Sequence, residues 1–474
     1  MDNKQQLHKR YGLFTAICMV VGIVIGSGVF FKAQSILQAT GGNMLLGILA
    51  WVIGGIVMII CAFNFANFAT KYVKVNGVVD YAEAIVGKKY AYMTGWFLST
   101  IYFPAMTSVL AWVSARYTLV LFTGVDSPAN FTGGLCMALG AFYLCAIYAI
   151  NILSPKIAGK LEVSATVIKL IPLAVIVVIG TIAGLINGNT IEAFAGASAD
   201  AAGEAVQNVD FMSVFSGVAA AAFAYEGWII ATSINAELKD PKKNLPRALV
   251  IGTAIIMAVY ILYFIGLTGG ASVGEIITEG APKAFNTLFG KIGGTVMNAF
   301  IVISCLGTLN GLMLACTRSF YSISVRDCGP KPKTFASIDS ETNMPSNSGV
   351  LSLFFCGAWF FYFYAANLTD PVFGLFSFDS SELPIITIYA IYIPIFVKFI
   401  IKEGKKNIFK NTVMPIFAII AAIFMVFVAV YAHGIRPYQS AAANGTFAFP
   451  VLFYLIVFAV IMAIGAIFYK KRAK

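Results

Sequence analysis

An apolar stretch near the start of the chain is long enough to cross a bilayer, yet three glycines interrupt it. Gly22, Gly26 and Gly28 lie within the stretch, and Gly26-Ser27-Gly28 stands at its centre. Each interior glycine destabilises a helix by roughly 1 kcal/mol relative to alanine. Lipid offers no partner to backbone groups that leave a helix, so irregular backbone at membrane depth persists only against protein or a water-filled cavity. The stretch therefore predicts a binding site for something small that crosses the membrane.

Composition places the chain among polytopic membrane proteins. Apolar residues make up 59% of its 474 residues and charged residues 11%, whereas a soluble domain carries about 25% charged residues. Apolar runs of about 20 residues, the length that crosses a bilayer as a helix, predict twelve spans. These runs fall near residues 12–38, 44–69, 91–121, 131–150, 161–186, 211–236, 247–270, 292–322, 348–366, 378–401, 411–433 and 447–469.

The distribution of Lys and Arg predicts the topology. Most of the 32 Lys and Arg residues lie in the two tails and in every second connecting segment, while the intervening segments hold only Lys283, Lys291 and Arg436. Positive charge concentrates on the cytoplasmic side of membrane proteins, so we expect both termini in the cytoplasm. The net charge of +11 then follows from topology, and no nucleic-acid partner is expected.

The sixth span contains a second interruption, where Phe223-Ala224-Tyr225-Glu226-Gly227-Trp228 places an acid and a glycine near the middle. Two interrupted spans at corresponding positions of two halves are typical of inverted repeats with the substrate at their interface. Spans 1–5 and 6–10 form the predicted halves. The expected organisation is an N-terminal cytoplasmic tail at 1–11, a first repeat at 12–186, an external loop at 187–210, a second repeat at 211–401, and spans eleven and twelve with a basic tail at 402–474.

The two interruptions have complementary backbone chemistry. Gly26, Ser27 and Gly28 would present N–H groups at the start of a half-helix, where the positive dipole end suits a carboxylate. The alternative is a seam of small residues for helix packing. At the second break, backbone carbonyls at the end of a half-helix would suit an ammonium group; they belong to Phe223, Ala224 and Tyr225. Phe223 and Trp228 could cap or gate the pocket, or serve as core-facing bulk.

Two charged residues lie deep within predicted spans. An unpaired acid at the depth of Glu226 costs several kcal/mol, so it must meet a partner, a water-filled vestibule or a proton. It could bind a cationic substrate, couple protons or order the unwound backbone. Lys169 lies too far into span five for easy snorkelling, and a buried ammonium there could replace a bound sodium ion.

Four further charged residues stand near predicted span ends. Arg116 and Arg318 can reach a membrane interface, which favours a structural role. Asp379 and Glu382 open span ten, where solvation at the interface is the favoured interpretation.

These residues resemble the amino acid–polyamine–organocation (APC) superfamily, and within it the L-amino acid transporter (LAT)-like branch and its bacterial amino acid exchangers. The resemblance covers nearly the whole chain. It rests on residues 22–30, on residues 223–228, on Glu237-Leu238-Lys239-Asp240-Pro241-Lys242-Lys243-Asn244-Leu245-Pro246-Arg247-Ala248, and on the segment from Arg318 to Asp327.

The resemblance implies an all-α polytopic fold, a LeuT-like 5+5 inverted repeat plus two peripheral transmembrane helices. It implies carboxylate binding by Gly26, Ser27 and Gly28, and amine binding by carbonyls around Ile23 and Phe223. Lys169 matches the family's lysine near the sodium position of sodium-coupled relatives, which suggests sodium-independent exchange.

Two departures from the family pattern qualify these expectations. Position 226 is Glu where relatives usually have Gly or Asp, which leaves side-chain specificity open. The outer loop after span three has no cysteine, whereas animal members join a heavy subunit there by a disulfide. No disulfide-linked heavy subunit is expected.

The main hypothesis is a secondary transporter that exchanges small neutral L-amino acids (Ala, Ser, Cys or Thr) by alternating access in the cell membrane. The alternative is an exchanger or proton-coupled carrier of cationic amino acids or polyamines. A channel would show charge rings or a filter motif, and a receptor would add a soluble domain. Because His8 and His433 lie in the terminal regions and the eight cysteines form no CxxC pair, we expect no enzyme, metal or cofactor.

Overall fold

The computed structural model describes residues 12–72, 77–123, 132–195, 210–229, 238–368 and 372–469. Helices make up all of the regular elements within these ranges. Those of the first half are α1 (Leu13–Val24), α2 (Gly28–Ala39), α3 (Met44–Lys71), α4 (Val78–Ile85), α5 (Lys88–Phe97), α6 (Phe103–Thr123), α7 (Gly134–Leu153), α8 (Pro155–Ile168), α9 (Leu170–Val175), α10 (Thr181–Ile186) and α11 (Asn189–Ala195).

The second half continues the same architecture. Its α-helices are α12 (Ser213–Ala224), α13 (Pro241–Leu267), α14 (Val273–Glu279), α15 (Ala281–Ser324), α16 (Pro332–Phe335), α17 (Ser346–Phe363), α18 (Leu383–Glu403), α19 (Met414–Val430), α20 (Arg436–Ala443) and α21 (Pro450–Phe468). Wider π-helical turns adjoin the α-helices at Leu98–Tyr102, Ile176–Gly180, Tyr364–Leu368, Phe409–Val413 and Tyr431–Ile435. Short 3-10 turns lie at Gly374–Phe376 and Gly404–Lys406.

Within the described ranges, nine helical segments are long and apolar enough to cross a membrane, or ten with a segment of residues 170–195 that bends by 81°. The predicted all-helical, multi-pass architecture is therefore confirmed. Spans one and six are not among the nine, because each breaks near its centre and leaves only the short apolar helices 13–22 and 213–224. The count of twelve spans stays a prediction.

Small residues bring the broken spans against their neighbours. A Cβ atom added at Gly28 would lie 2.8 Å from Ala224 Cα, so α2 and α12 touch through backbone. A Cβ at Gly266 in α13 would lie 2.4 Å from the carbonyl oxygen of Ile176, which belongs to a π-helical turn. Such close approaches are the usual basis of helix packing in membranes, and the one at Gly28 holds the two breaks side by side.

Several predictions concern residues outside the described ranges. They are the tail 1–11, positions 196–209 of the loop 187–210, positions 230–236 of span six, and the end of the basic tail at 470–474. The proposed boundaries of the two repeats stay predictions.

Candidate functional site

The first span breaks at the predicted glycines. Helix α1 ends at Val24, Ile25 is extended with φ −65° and ψ 101°, and α2 begins at Gly28. The second break follows α12, where turns replace the helix from Tyr225 to Ile229 and Gly227 adopts φ +108°. That φ belongs to the region that glycine enters without steric cost. Both interruptions predicted from the sequence are therefore confirmed.

A cavity of about 110 Å³ lies between the two breaks. A buried water needs roughly 10–15 Å³ of such space, so the cavity has room for several waters or one small metabolite. Its lining brings together Val24, Gly26, Ser27, Gly28, Tyr102, Met106, Leu110, Lys169, Phe223, Ala224, Glu226, Gly227, Thr308, Gly311 and Leu312.

The first break presents polar groups to this cavity. Gly28 is the first residue of α2, and the N–H groups of a helix's first turn have no acceptor within the helix. The Ser27 hydroxyl is fully buried and has no hydrogen-bond partner of ordinary geometry in the described part of the chain. Buried polar atoms are rarely left unpaired. A bound carboxylate would satisfy both kinds of donor.

The Tyr260 hydroxyl joins the two breaks. It lies 3.2 Å from the carbonyl oxygen of Val24 and 3.0 Å from that of Ala224, and donates toward both. The carbonyl ends of α1 and α12 thus converge on one point, as an ammonium site requires. Tyr225 directs its side chain elsewhere, since its hydroxyl donates to the carbonyl of Trp51 at 2.9 Å and its ring stacks on Tyr260.

One acid and one base face the cavity. Glu226 accepts a hydrogen bond from the Tyr102 hydroxyl, so the acid has a partner within the membrane. Lys169 stands at the turn between α8 and α9 and is 2% exposed. This burial agrees with the sequence expectation that Lys169 does not snorkel.

Of the remaining predicted residues, Phe223 lines the cavity and Trp228 does not. Ile23 lies in the last turn of α1. The Phe223 ring lines the cavity and packs edge-on against Phe31. Trp228 is buried away from the cavity lining, with its ring 5.5 Å from that of Phe65 and 6.2 Å from that of Tyr392. Its gating role stays a prediction, and this position favours core packing.

A buried ion pair lies behind the cavity wall, next to Phe223. Lys32 Nζ lies 2.6 Å from Glu382 Oε1, and His433 Nε2 lies 3.2 Å from Glu382 Oε2. The Lys32 ammonium also stands over the Phe223 ring at 5.1 Å. The expectation that solvent hydrates Glu382 at the interface is wrong, because the carboxylate is 8% exposed and paired.

Arg116 is a second correction. It is 6% exposed, donates to Gln34 Oε1 at 3.0 Å, and stacks against the rings of Trp112 and Tyr117. It is therefore an internal packing and hydrogen-bonding residue, and does not reach an interface.

Comparison with known proteins identifies the family. The profile described as amino acid permease matches residues 11–462, nearly the whole chain. The chain belongs to the amino acid permease family. This match and the similar proteins described next confirm the resemblance to L-amino acid transporters that was inferred from four sequence segments.

Similar permeases are amino acid transporters and exchangers. The serine/threonine exchanger SteT of Bacillus subtilis (strain 168) is 29% identical over 429 residues, which cover 88% of this chain and 90% of SteT. The large neutral amino acids transporter small subunit 2 of Mus musculus is 27% identical over 344 residues, 69% of this chain and 62% of that protein. The human cystine/glutamate transporter is 24% identical over 351 residues, 73% and 67% of the two chains.

A solved structure shows the same fold. The crystal structure of MhsT in complex with L-phenylalanine superposes with a TM-score of 0.54, covering 91% of this permease and all of MhsT. At 14% identity this likeness concerns the fold alone. The predicted LeuT-like fold class is confirmed.

Sequence reasoning missed three residues of this permease's site. Lys32 is a lysine inside the first apolar run, a signal that the span-by-span search for charges could have used. Tyr102 and Tyr260 gave no such signal, because an aromatic residue in an apolar helix is ordinary and only the fold brings their hydroxyls to the breaks.

Proposed function

We propose that this permease is a sodium-independent exchanger of small neutral L-amino acids, of the alanine, serine, cysteine or threonine type. The observation that carries the proposal is the meeting of two helix breaks around a cavity of about 110 Å³. Donors at Ser27 and Gly28 suit the carboxylate of an amino acid, and the converging carbonyls of Val24 and Ala224 suit its ammonium. A short side chain fits the remaining space beside Met106 and Leu110. SteT, whose name is serine/threonine exchanger, has the same substrate class.

Sodium independence rests on Lys169. A permanently charged ammonium buried beside the first break supplies the local positive charge that a bound cation would otherwise provide. Transport would then need no ion gradient, and an amino acid on one side would exchange for an amino acid on the other.

Alternating access provides the mechanism. The half-helices α2 and α12 pack on each other, and the site lies at their junction, so rocking of one helix group about the site would open it to either side. We place the protein in the cell membrane with both termini in the cytoplasm, from its charge distribution. It would act as a transporter and not as an enzyme, without a disulfide-linked heavy subunit.

The test is uptake into proteoliposomes. Labelled alanine, serine and leucine are offered to vesicles that contain unlabelled amino acid, with sodium or choline as the external cation. We expect the small substrates to enter faster when the vesicles are loaded, at equal rates in both salts. Absence of trans-stimulated uptake for every zwitterion would reject the proposal, and dependence on sodium would reject the role of Lys169.

Glu226 supports a second candidate function, exchange or proton-coupled transport of cationic amino acids or polyamines. Its carboxylate lines the cavity beside Tyr102 and could pair with a side-chain ammonium. Competition by arginine, lysine and putrescine distinguishes the candidates. If the substrate is cationic, these compounds compete with the native permease and lose that effect in Glu226→Gln. If it is neutral, they compete poorly with both proteins.

A further inference from the structure

A second cavity of about 200 Å³ adjoins the central one on the side from which the N-terminus enters. Tyr102 lines both cavities, so this tyrosine, whose hydroxyl donates to Glu226, lies between them. We call the second cavity the vestibule. Its wall comes from the start of α4, the α5–α6 region and the last turns of α15, together with Ile229 and Ile388.

Arg318 is the only charged residue among the described residues that line the vestibule. It is exposed to the vestibule opening, and it forms no ion pair within the described part of the chain. The neighbouring Arg326 differs, because its guanidinium is held by Asp80 and Glu83. Arg318 therefore presents unused donors in a fork geometry that matches a carboxylate.

Hydroxyl groups line the same vestibule as this guanidinium. Ser99 and Ser319 already donate their hydrogens to backbone carbonyls, at 2.7 Å and 2.8 Å. Their oxygens keep acceptor capacity toward the vestibule. A guanidinium beside hydroxyl acceptors is complementary to a molecule that has both a carboxylate and an ammonium group.

We propose that the vestibule is a second, weaker amino acid site, in which Arg318 holds the α-carboxylate before the substrate passes Tyr102 and after it leaves the central cavity. The proposal rests on the exchange function and on the cytoplasmic location of this side. Arg318 is a positioning residue, which raises the local concentration of substrate at the inner entrance. The apparent affinity for substrate would then differ between the two sides of the membrane, because only substrate on the cytoplasmic side meets this site.

The experiment measures the KM of exchange from each side, in right-side-out and inside-out membrane vesicles. For Arg318→Gln we expect the cytoplasmic KM to rise about fivefold, equivalent to roughly 1 kcal/mol, the upper value for an exposed charge pair. The external KM and the maximal rate should stay as in the native permease, which also shows that the variant folds. Arg318→Lys keeps the charge but loses the fork geometry, so its cytoplasmic KM should lie between those of the native permease and Arg318→Gln. Lys89→Gln removes an exposed cation at the start of α5 outside the vestibule lining, and should change neither KM.

A carboxylate that lacks an ammonium group provides a second measurement. Propionate on the cytoplasmic side should compete with substrate in the native permease and lose this effect in Arg318→Gln. Equal external and cytoplasmic shifts, or no shift, would overturn the proposal. If Arg318 instead binds a lipid phosphate, the KM difference would follow the phospholipid composition of reconstituted vesicles and resist propionate, which would also overturn it.

The two proposals fail in different ways. A native permease that exchanges amino acids while Arg318→Gln matches it on both sides refutes the vestibule site alone. A native permease that exchanges no zwitterion refutes the proposed function, and the vestibule site falls with it.

Discussion

Replacement of Glu382 by glutamine should destabilise the protein strongly, because the change leaves Lys32 buried without its counter-charge. The two charged atoms lie 2.6 Å apart, and at an effective dielectric constant near 20 they attract by roughly 6 kcal/mol. This attraction offsets the desolvation of both ions, which is several kcal/mol each. Removing one partner keeps the desolvation of the other, so we expect a loss of about 3–5 kcal/mol in the free energy of unfolding.

The double variant Lys32→Met/Glu382→Gln tests the origin of that loss. In the double variant neither residue carries a charge, and His433, which also contacts Glu382, can remain a neutral imidazole. Replacing a buried ion pair by neutral groups is often nearly neutral for stability. We expect the double variant to recover most of the loss caused by Glu382→Gln. Glu279→Gln is the matched control, because Glu279 pairs with Lys283 at 3.4 Å with 44% of its side chain exposed. That change should cost less than about 1 kcal/mol.

Denaturant titration in one mild detergent compares five proteins: the native permease, the single variants Lys32→Met and Glu382→Gln, their double variant, and the Glu279→Gln control. The native protein, the two single variants and the double variant form a cycle that isolates the coupling between Lys32 and Glu382. The reasoning is refuted if Glu382→Gln unfolds at the same denaturant concentration as Glu279→Gln. It is also refuted if the effects of the two substitutions simply add in the double variant.

Three further predictions concern the central site. Lys169→Ala should slow exchange at least about tenfold, equivalent to 1.4 kcal/mol, while the protein remains inserted in the membrane. A variant that exchanges at the native rate would contradict the role of Lys169 as a built-in cation. Gly28→Ala should lower the thermal unfolding midpoint, because the new Cβ would lie 2.8 Å from the backbone of Ala224. Gly134→Ala is the control, since a Cβ there meets nothing within 4 Å. Equal midpoints for the two variants would contradict the close contact at Gly28. Tyr260→Phe should destabilise by about 1–3 kcal/mol, the cost of leaving buried carbonyls without a donor, and an unchanged unfolding midpoint would show that another group replaces the hydroxyl.

The breaks and the family could be predicted from the sequence because their causes are local. Gly26, Ser27 and Gly28 weaken one helix by their own backbone properties, and Glu226-Gly227 does the same in another. The repeat relation then follows from the matching positions of the two breaks. The chain could be predicted to be a multi-pass membrane protein for the same reason, because hydropathy and charge distribution depend only on the composition of short stretches of sequence.

Contacts between distant parts of the chain could not be predicted. Lys32 and Glu382 are 350 positions apart, so the sequence gives each residue as a lone charge near a span and offers no reason to pair them. The same applies to Tyr102, whose hydroxyl meets Glu226 only after α5 and α6 pack beside the second break. For Trp228 the local sequence was misleading. Its position next to the break suggested a place in the pocket, but its ring packs against Phe65 in the core.

The hydroxyl of Tyr260, which lies between the two half-helices, has more hydrogen-bond acceptors around it than hydrogens to donate. A phenolic group carries one hydrogen, yet two acceptors, the oxygens of Val24 and Ala224, wait within 3.2 Å and 3.0 Å. At any instant the hydroxyl can direct its single hydrogen fully at only one of these oxygens. A substrate ammonium group carries three hydrogens. It could therefore donate to both carbonyl oxygens beside Tyr260, and substrate binding would tighten the junction of the two half-helices.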